Sequence, residues 1–308
     1  MAILVTGASG FVGQTLLPLL LEKGHKVYGL SRHPPAPAKN LIPLVGDITQ
    51  PSLGLKPEEV PRDIQAIYHL AGIHSLREED KDDSIWMTNV AGTQNVLDFC
   101  VHHDITRIYF ASTAYTLGRN PYEKSKIINE EYINKYGERQ GLKITIFKPS
   151  IIMGTAEHPY PGHFSQFVSL VIKLHQRAEI IRRKIEGTLR LPVIEPVFRV
   201  RGNPAGTLNL VTVDAVAEAM ANIDKQGTFW LTNREPPTLG QLVEWVGEFI
   251  MVDMRIEPDF KPTPIEAAFQ KMATAFEPYL QGDDFPSDLK ECPITKEFVH
   301  ETIKRSIL

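Results

Sequence analysis

The chain has 308 residues, 43% of them hydrophobic and 23% charged, with a formal net charge of −4. That composition describes a globular protein with a sizeable core, in one large domain or one with a small annex. It excludes a nucleic-acid binder built on a basic face, and no apolar run reaches the length of a bilayer span.

The first expected strand, 2–6, starts so early that no room is left for a signal peptide, and the cytoplasm is the expected compartment. Behind it runs Thr6-Gly7-Ala8-Ser9-Gly10-Phe11-Val12-Gly13, a glycine turn opening into a helix. Such a turn aims backbone N–H groups and the positive end of a helix at one spot, which suits a diphosphate. Gly7 permits the turn, Gly10 lets the backbone approach the phosphates, and Gly13 lets helix and strand pack. The spacing is G-x-x-G-x-x-G, not the commoner G-x-G-x-x-G. The helix carries Phe11, Val12, Leu16, Leu17, Leu19 and Leu20 and stops near Gly24; Pro18 predicts a small kink.

Further strands are expected at 26–31, 41–45, 66–70, 107–112 and 143–148. A proline-rich loop follows the first of these at 33–37, and a long helix lies over 122–140, closed by Gly141. The runs at 26–31, 66–70 and 107–112 are nearly continuous in apolar residues, as strands buried on both faces are. Alternating strands and helices predict an α/β fold: a Rossmann-type, doubly wound parallel sheet. Cys100 falls on an apolar helical run and reads as a buried reduced thiol; with Cys292 it is too little for a disulfide framework.

After Pro149 the pattern loosens. A loop at 158–163 precedes a helix over 164–185 that ends in Arg182-Arg183-Lys184. Residues 189–200 look β-like, interrupted by Pro192 and Pro196. A strand at 208–213, a helix over 214–224 with Asp214 as N-cap, and a short strand at 229–232 follow. The tail holds a helix over 239–251, a strand at 254–257 and further helical stretches. The expected division is a nucleotide-binding domain over 1–150, to which 187–235 partly returns, and a smaller α/β substrate-binding subdomain from 151–186 and 236–308.

Tyr122-Glu123-Lys124-Ser125-Lys126 is the second signal. Four residues apart at the start of a helix, Tyr122 and Lys126 share a face. An ammonium there favours the phenolate and lowers the phenol pKa from about 10, making Tyr122 a usable acid or base. The strand at 107–112 runs into Ser112 and Thr113, at the carboxyl edge where such sheets border their ligand crevice. The strand at 66–70 runs into Leu70-Ala71-Gly72, residues small enough for a cofactor to lie close. His69 reads as a packed core histidine. No pattern of metal ligands is present.

Together these pieces resemble the extended branch of the short-chain dehydrogenase/reductase superfamily, the NAD-dependent epimerase/dehydratase type. The matching segments are T-G-A-S-G-F-V-G at 6–13, G-D-I at 46–48, H-L-A-G at 69–72 and T-N-V-A-G-T at 88–93. They continue with S-T-A at 112–114, Y-E-K-S-K at 122–126, K-P-S-I-I-M-G at 148–154 and V-D-A-V-A at 213–217. The resemblance implies that Gly7, Gly10 and Gly13 hold a dinucleotide's diphosphate and that Asp47 and Ile48 border its adenine. Ser9, Phe11, Val12, Leu70, Ala71, Gly72, Pro149 and Ile151 complete the implied cofactor site. Tyr122 is the implied acid/base, and Lys126 binds the nicotinamide ribose and tunes Tyr122. Thr113, rather than Ser112, holds the substrate oxygen, and Asn89 steadies the active-site helix. The end of the second strand offers Ser31 and Arg32 in place of a carboxylate. Arginine forks onto a 2′-phosphate, so NADP(H) is expected over NAD(H).

Within that branch, R-G-N-P at 201–204 and N-L-V-T-V-D at 209–214 look like the thioester-reductase and fatty-acyl-reductase subgroup, which implies hydride transfer to a carbonyl or acyl thioester. The stretch from Thr113 to Tyr122 is shorter than is usual for the branch. The alternatives are a sugar-nucleotide epimerase or dehydratase, with Arg177, Arg182, Arg183 and Lys184 free to meet a diphosphate, and a non-catalytic NADPH sensor. The expected partner is a small-molecule substrate. Ile127, Ile128 and Ile133 permit a homodimer through the tyrosine helix.

Overall fold

The structure is a computed structural model that describes residues 1–76, 79–160, 162–189 and 197–307. It divides into two compact units. The first comprises Met1–Ser150, Val213–Thr232 and Pro286–Lys290. Its strands are β1 (Ala2–Thr6), β2 (Lys26–Ser31), β3 (Leu41–Val45), β4 (Ala66–His69), β5 (Arg107–Ala111) and β6 (Lys143–Pro149). Numbering continues through the second unit with β7 (Ile151–Met153), β8 (Phe198–Arg201) and β9 (Leu210–Thr212) before β10 (Gly227–Leu231) returns to the first.

The seven strands of the first unit form one parallel sheet in the order β10-β6-β5-β4-β1-β2-β3. The order reverses at β1, between β2 and β4, which is the switch point where sheets of this Rossmann-like type open a crevice at their carboxyl ends. Every residue of β1 and β4 is buried, as their apolar runs require. The outermost strand, β3, holds Pro43, which donates no ladder bond and is tolerated at an edge.

The helices are α1 (Phe11–Glu22), α2 (Gly92–His102), α3 (Pro121–Gln140), α4 (His163–Leu189) and α5 (Val213–Asn222). On one face of the sheet Leu4, Ile67, Ile108, Phe110 and Ile146 pack with Val96, Leu97 and Cys100 of α2 and Ile133 of α3. On the other, Tyr68 stacks on Tyr109 with centroids 4.2 Å apart, and its hydroxyl donates to the Met220 carbonyl of α5 at 3.0 Å. Cys100 is a buried free thiol. Pro18 sits on the exposed side of α1, which runs through it unbroken.

The structure corrects several sequence-based expectations. Asp214 lies in the first turn of α5, and the helix begins one residue earlier, at Val213. Residues 151–153, to which the sequence pattern assigned no element, form β7. Helix α4 runs on to Leu189; of the β-like stretch expected at 189–200, residues 190–196 lie outside the described residues, and β8 begins at Phe198. Ile133 points into the core, so it offers nothing to a dimer surface, whereas Ile128 is exposed. Glu179 pairs with both Arg182 and Arg183, so that end of the basic cluster is internally compensated on the helix surface.

The second unit comprises Ile151–Thr212, Asn233–Phe285 and Glu291–Leu308. Its remaining elements are α6 (Leu239–Ile250), β11 (Met254–Glu257), α7 (Pro264–Met272), a 3-10 helix (Thr274–Gln281) and α8 (Lys296–Ile307). It holds two parallel pairs, β7 with β9 and β8 with β11. Capping boxes at Thr238/Gln241 and Thr263/Glu266 start α6 and α7. Buried Glu266 also receives Arg199 at 2.9 Å, which ties α7 to β8.

Candidate active site

The glycine turn between β1 and α1 is built by backbone necessity. Gly7 has φ +72°, and a Cβ there would sit 2.7 Å from the Ala71 nitrogen. A Cβ on Gly13 would run into the Gly7 carbonyl and lie 2.9 Å from that of Ala8, so the helix rests directly on the turn. Gly10 is the exposed N-cap of α1, and no side chain caps that end. An uncapped, open helix N-terminus beside two glycines fits a diphosphate. Ser9 donates its hydroxyl to that of Ser31 at 3.1 Å, which joins the turn to the end of β2. Arg32 is exposed next to it. The Asp47 carboxylate accepts the Thr49 amide and hydroxyl, both at 2.9 Å, and so shapes its own turn. Ile48 is buried beneath Gly92. Leu70 and Ala71 are tied to Thr6 through its carbonyl and its hydroxyl. Pro149 lends its carbonyl to the Ala114 amide, and Ile151 opens β7 in the second unit.

Helix α3 brings Tyr122 and Lys126 to one face, as their spacing dictates, with the ammonium 5.8 Å from the phenol ring centroid. Asn120 caps the helix by accepting the Glu123 amide at 2.9 Å, and Pro121 supplies the first turn. The Thr113 hydroxyl points to the Pro149 carbonyl at 3.5 Å and its oxygen accepts the Tyr115 amide at 3.2 Å, and it stands near enough to the Tyr122 phenol to oppose the rise in its pKa. Ser112, the rival candidate, gives its hydroxyl to the Glu130 carboxylate instead. The structure therefore places Thr113, and not Ser112, beside Tyr122.

The expected direction of the tyrosine shift is not what the structure shows. Burial pushes the phenol up from its ordinary value, outweighing the Thr113 hydroxyl, and the neighbouring Glu123 charge adds to the rise. The Lys126 ammonium is turned to the Ala111 carbonyl, at 2.7 Å, and not to the phenol oxygen. Burial brings Lys126 itself down to about 8, with the Glu130 carboxylate opposing the fall.

Asn89 lies in a π-helical turn, Trp86–Ala91, ahead of α2. Its side chain accepts the Ile73 amide at 2.7 Å and donates to the Ile73 carbonyl and to Ser125 Oγ of α3. Its carbonyl accepts Asn129 Nδ2 of the same helix at 2.7 Å. Asn89 is thus fastened to α3 from both its side chain and its backbone. His69 is 2% exposed between Thr6 (Nδ1, 2.8 Å) and Thr93 (Nε2, 3.0 Å). It is a satisfied core histidine, as its setting in the sequence suggested.

Three participants were not foreseen. The His74 ring lies against Tyr122 with centroids 4.6 Å apart. Glu130 and Lys148 form an ion pair at 2.9 Å behind Ser112. Glu130 had a readable signal, one turn past Lys126 on the same face; His74, on an irregular segment, had none.

The sequence profile of the NAD dependent epimerase/dehydratase family matches residues 3–190. Among curated proteins, the 3-beta-hydroxysteroid dehydrogenase of Mycolicibacterium neoaurum is 30% identical over 180 residues, 50% of this chain and 48% of that protein. The chain therefore covers about half the length of that relative. The 2-alkyl-3-oxoalkanoate reductase of Stenotrophomonas maltophilia is 25% identical over 273 residues, 79% of this chain and 74% of the other. Among solved structures, the terminal R domain from the myxalamid PKS-NRPS biosynthetic pathway superposes with a TM-score of 0.68 at 21% identity, covering 99% of this chain and 90% of that one. At that identity the likeness is one of fold.

Proposed function

The chain belongs to the NAD dependent epimerase/dehydratase family of NAD(P)-dependent enzymes, and from that premise we propose that it is an NADP(H)-dependent oxidoreductase acting on a carbonyl or acyl-thioester substrate, with Tyr122 as acid/base. The observation that carries the reading is the convergence of two hydroxyls, Thr113 and Tyr122, beside a buried ammonium, Lys126. The relatives named as a dehydrogenase and a reductase support it.

The bound nicotinamide supplies the hydride. The protein's part is to hold and move a proton. The Tyr122 phenol, which burial keeps protonated, is placed to donate a proton to a carbonyl oxygen as hydride arrives. Thr113 and Tyr122 together stabilise charge growing on the substrate oxygen. Lys126, with a pKa of about 8, is mostly charged at neutral pH and would hold the ribose hydroxyls next to the phenol. Gly7, Gly10 and Gly13 would receive the diphosphate, and Ser31 and Arg32 the 2′-phosphate.

Fluorescence titration with NADPH and NADH tests the cofactor. We expect NADPH to bind at least about tenfold more tightly, a charge-assisted contact's worth of about 1.4 kcal/mol, and Arg32→Ala to erase the difference. A preference for NADH removes the Arg32 assignment. A panel of carbonyl compounds and acyl-CoA thioesters set against UDP-sugars, followed by NADPH absorbance and product analysis, tests the chemistry. UDP-sugar turnover alone favours an epimerase, and tight binding with silence on both arms favours a sensor.

A further inference from the structure

Tyr122, Lys126 and Glu130 follow one another at one-turn intervals along α3. The Glu130 carboxylate is partly buried, with both oxygens engaged. One oxygen accepts the Ser112 hydroxyl, and the other accepts the Lys148 ammonium at 2.9 Å. Lys148, only 4% exposed, also donates to Thr116 Oγ1 at 2.8 Å and lies 4.6 Å over the Trp230 ring. Ser112 and Thr116 flank Thr113. A single carboxylate on the tyrosine helix therefore secures, directly and through Lys148, both sides of the segment that presents Thr113.

The same carboxylate lies one turn beyond Lys126 on α3, and it accepts from Ser112, the neighbour of the Ala111 carbonyl that receives the Lys126 ammonium. That ammonium is buried and donates to a carbonyl, not to an anion. The groups around it are Tyr122 and Glu130 from α3, neutral His69 from β4 and the Phe110 ring and Ala111 carbonyl from β5. Lys148 of β6 stands on the far side of Glu130. Glu130 is the anion that offsets the burial of Lys126.

We propose that Glu130 is a positioning residue for the proton step, one carboxylate that both orders Thr113 against Tyr122 and keeps Lys126 charged beside it. What the aligned groups do rests on the oxidoreductase reading above; that Glu130 controls Lys126 does not.

The test is an NMR titration of the lysine side chains in protein labelled with 13C-lysine, with Lys126 assigned by its loss in Lys126→Arg. In the unmodified protein the Lys126 midpoint should lie near 8. Glu130→Gln, close in shape but uncharged, should lower it by a pH unit or more, a tenfold change in the protonation equilibrium. Lys148→Met removes the cation that competes for Glu130 and should move the midpoint the other way. Lys148→Arg should leave it in place. In turnover, Glu130→Gln should carry the basic limb of the kcat profile down by the same interval, with the KM for NADPH less affected, and Glu130→Asp should restore part of both. If Glu130→Gln and Lys148→Met leave the Lys126 midpoint where it was, the proposal is wrong. If the midpoint moves as stated but the protein binds no dinucleotide, the control of Lys126 stands and the oxidoreductase reading falls.

Discussion

His69 shows how much one buried side chain can specify. Thr93 gives its own proton to the Asn89 carbonyl at 2.6 Å, so its oxygen must accept from His69 Nε2–H. Nδ1 then accepts from the Thr6 hydroxyl. The ring is neutral in a single tautomer, and burial holds its pKa near 3, well below the ordinary 6.5. The unfolded chain therefore binds a proton that the folded chain refuses. Stability is complete above about pH 6.5 and falls by up to about 1.4 kcal/mol per unit as pH drops towards 3. Urea midpoints measured from pH 7 to 4 should show a shallower acid slope in His69→Gln than in the unmodified protein, although the variant is less stable at pH 7. At Tyr122 the expected result is different in kind. Tyr122→Phe should lower kcat by about a hundredfold or more while NADPH binds nearly as before. Surviving turnover would remove Tyr122 from the acid/base role. Spacing alone revealed that Tyr122 and Lys126 share a face, because helix geometry is local. It could not reveal the direction of the phenol's shift, because burial is set by strands far away in the chain.

Among the elements, those of the sheet were the most legible. β1, β2, β3 and β11 occupy the residues their apolar patterns indicate, and β4 and β5 stop one residue sooner. β1, β2, β4 and β5 declare themselves because both their faces are largely buried, whereas β3 is a partly exposed edge strand and β11, in the second unit, alternates buried and open positions. The short strand β7 and the π-helical turn at Trp86–Ala91 had no such pattern, since their geometry comes from tertiary contacts. The turn from β1 into α1 makes a prediction of its own. At Gly13 a methyl group meets two backbone carbonyls that cannot yield as a side chain would. Gly13→Ala should cost about 1–3 kcal/mol, read from a urea midpoint, and should weaken NADPH binding by displacing the turn. An unchanged midpoint would show that α1 can slide away from the turn. The candidate site was legible where it rests on such turns and on α3, and illegible at His74 and Lys148, whose roles exist only once distant segments meet.

For the molecule as a whole, the dinucleotide is a ligand of the folded state alone. NADPH at a hundred times its Kd should therefore stabilise the protein by about 2.7 kcal/mol, seen as a rise in Tm that NADH at the same concentration does not match. Equal shifts from the two would argue against a site for the 2′-phosphate.

The parallel sheet has a further consequence for how the protein is made. Its outer strand β10 is contributed by Gly227–Leu231, long after β6 at Lys143–Pro149. During synthesis on the ribosome, the hydrogen-bonding edge of β6, with Phe147 at its centre, waits for that late strand. A fragment ended at residue 150 would keep this edge bare and should aggregate, whereas a chain carried through residue 232 can close it.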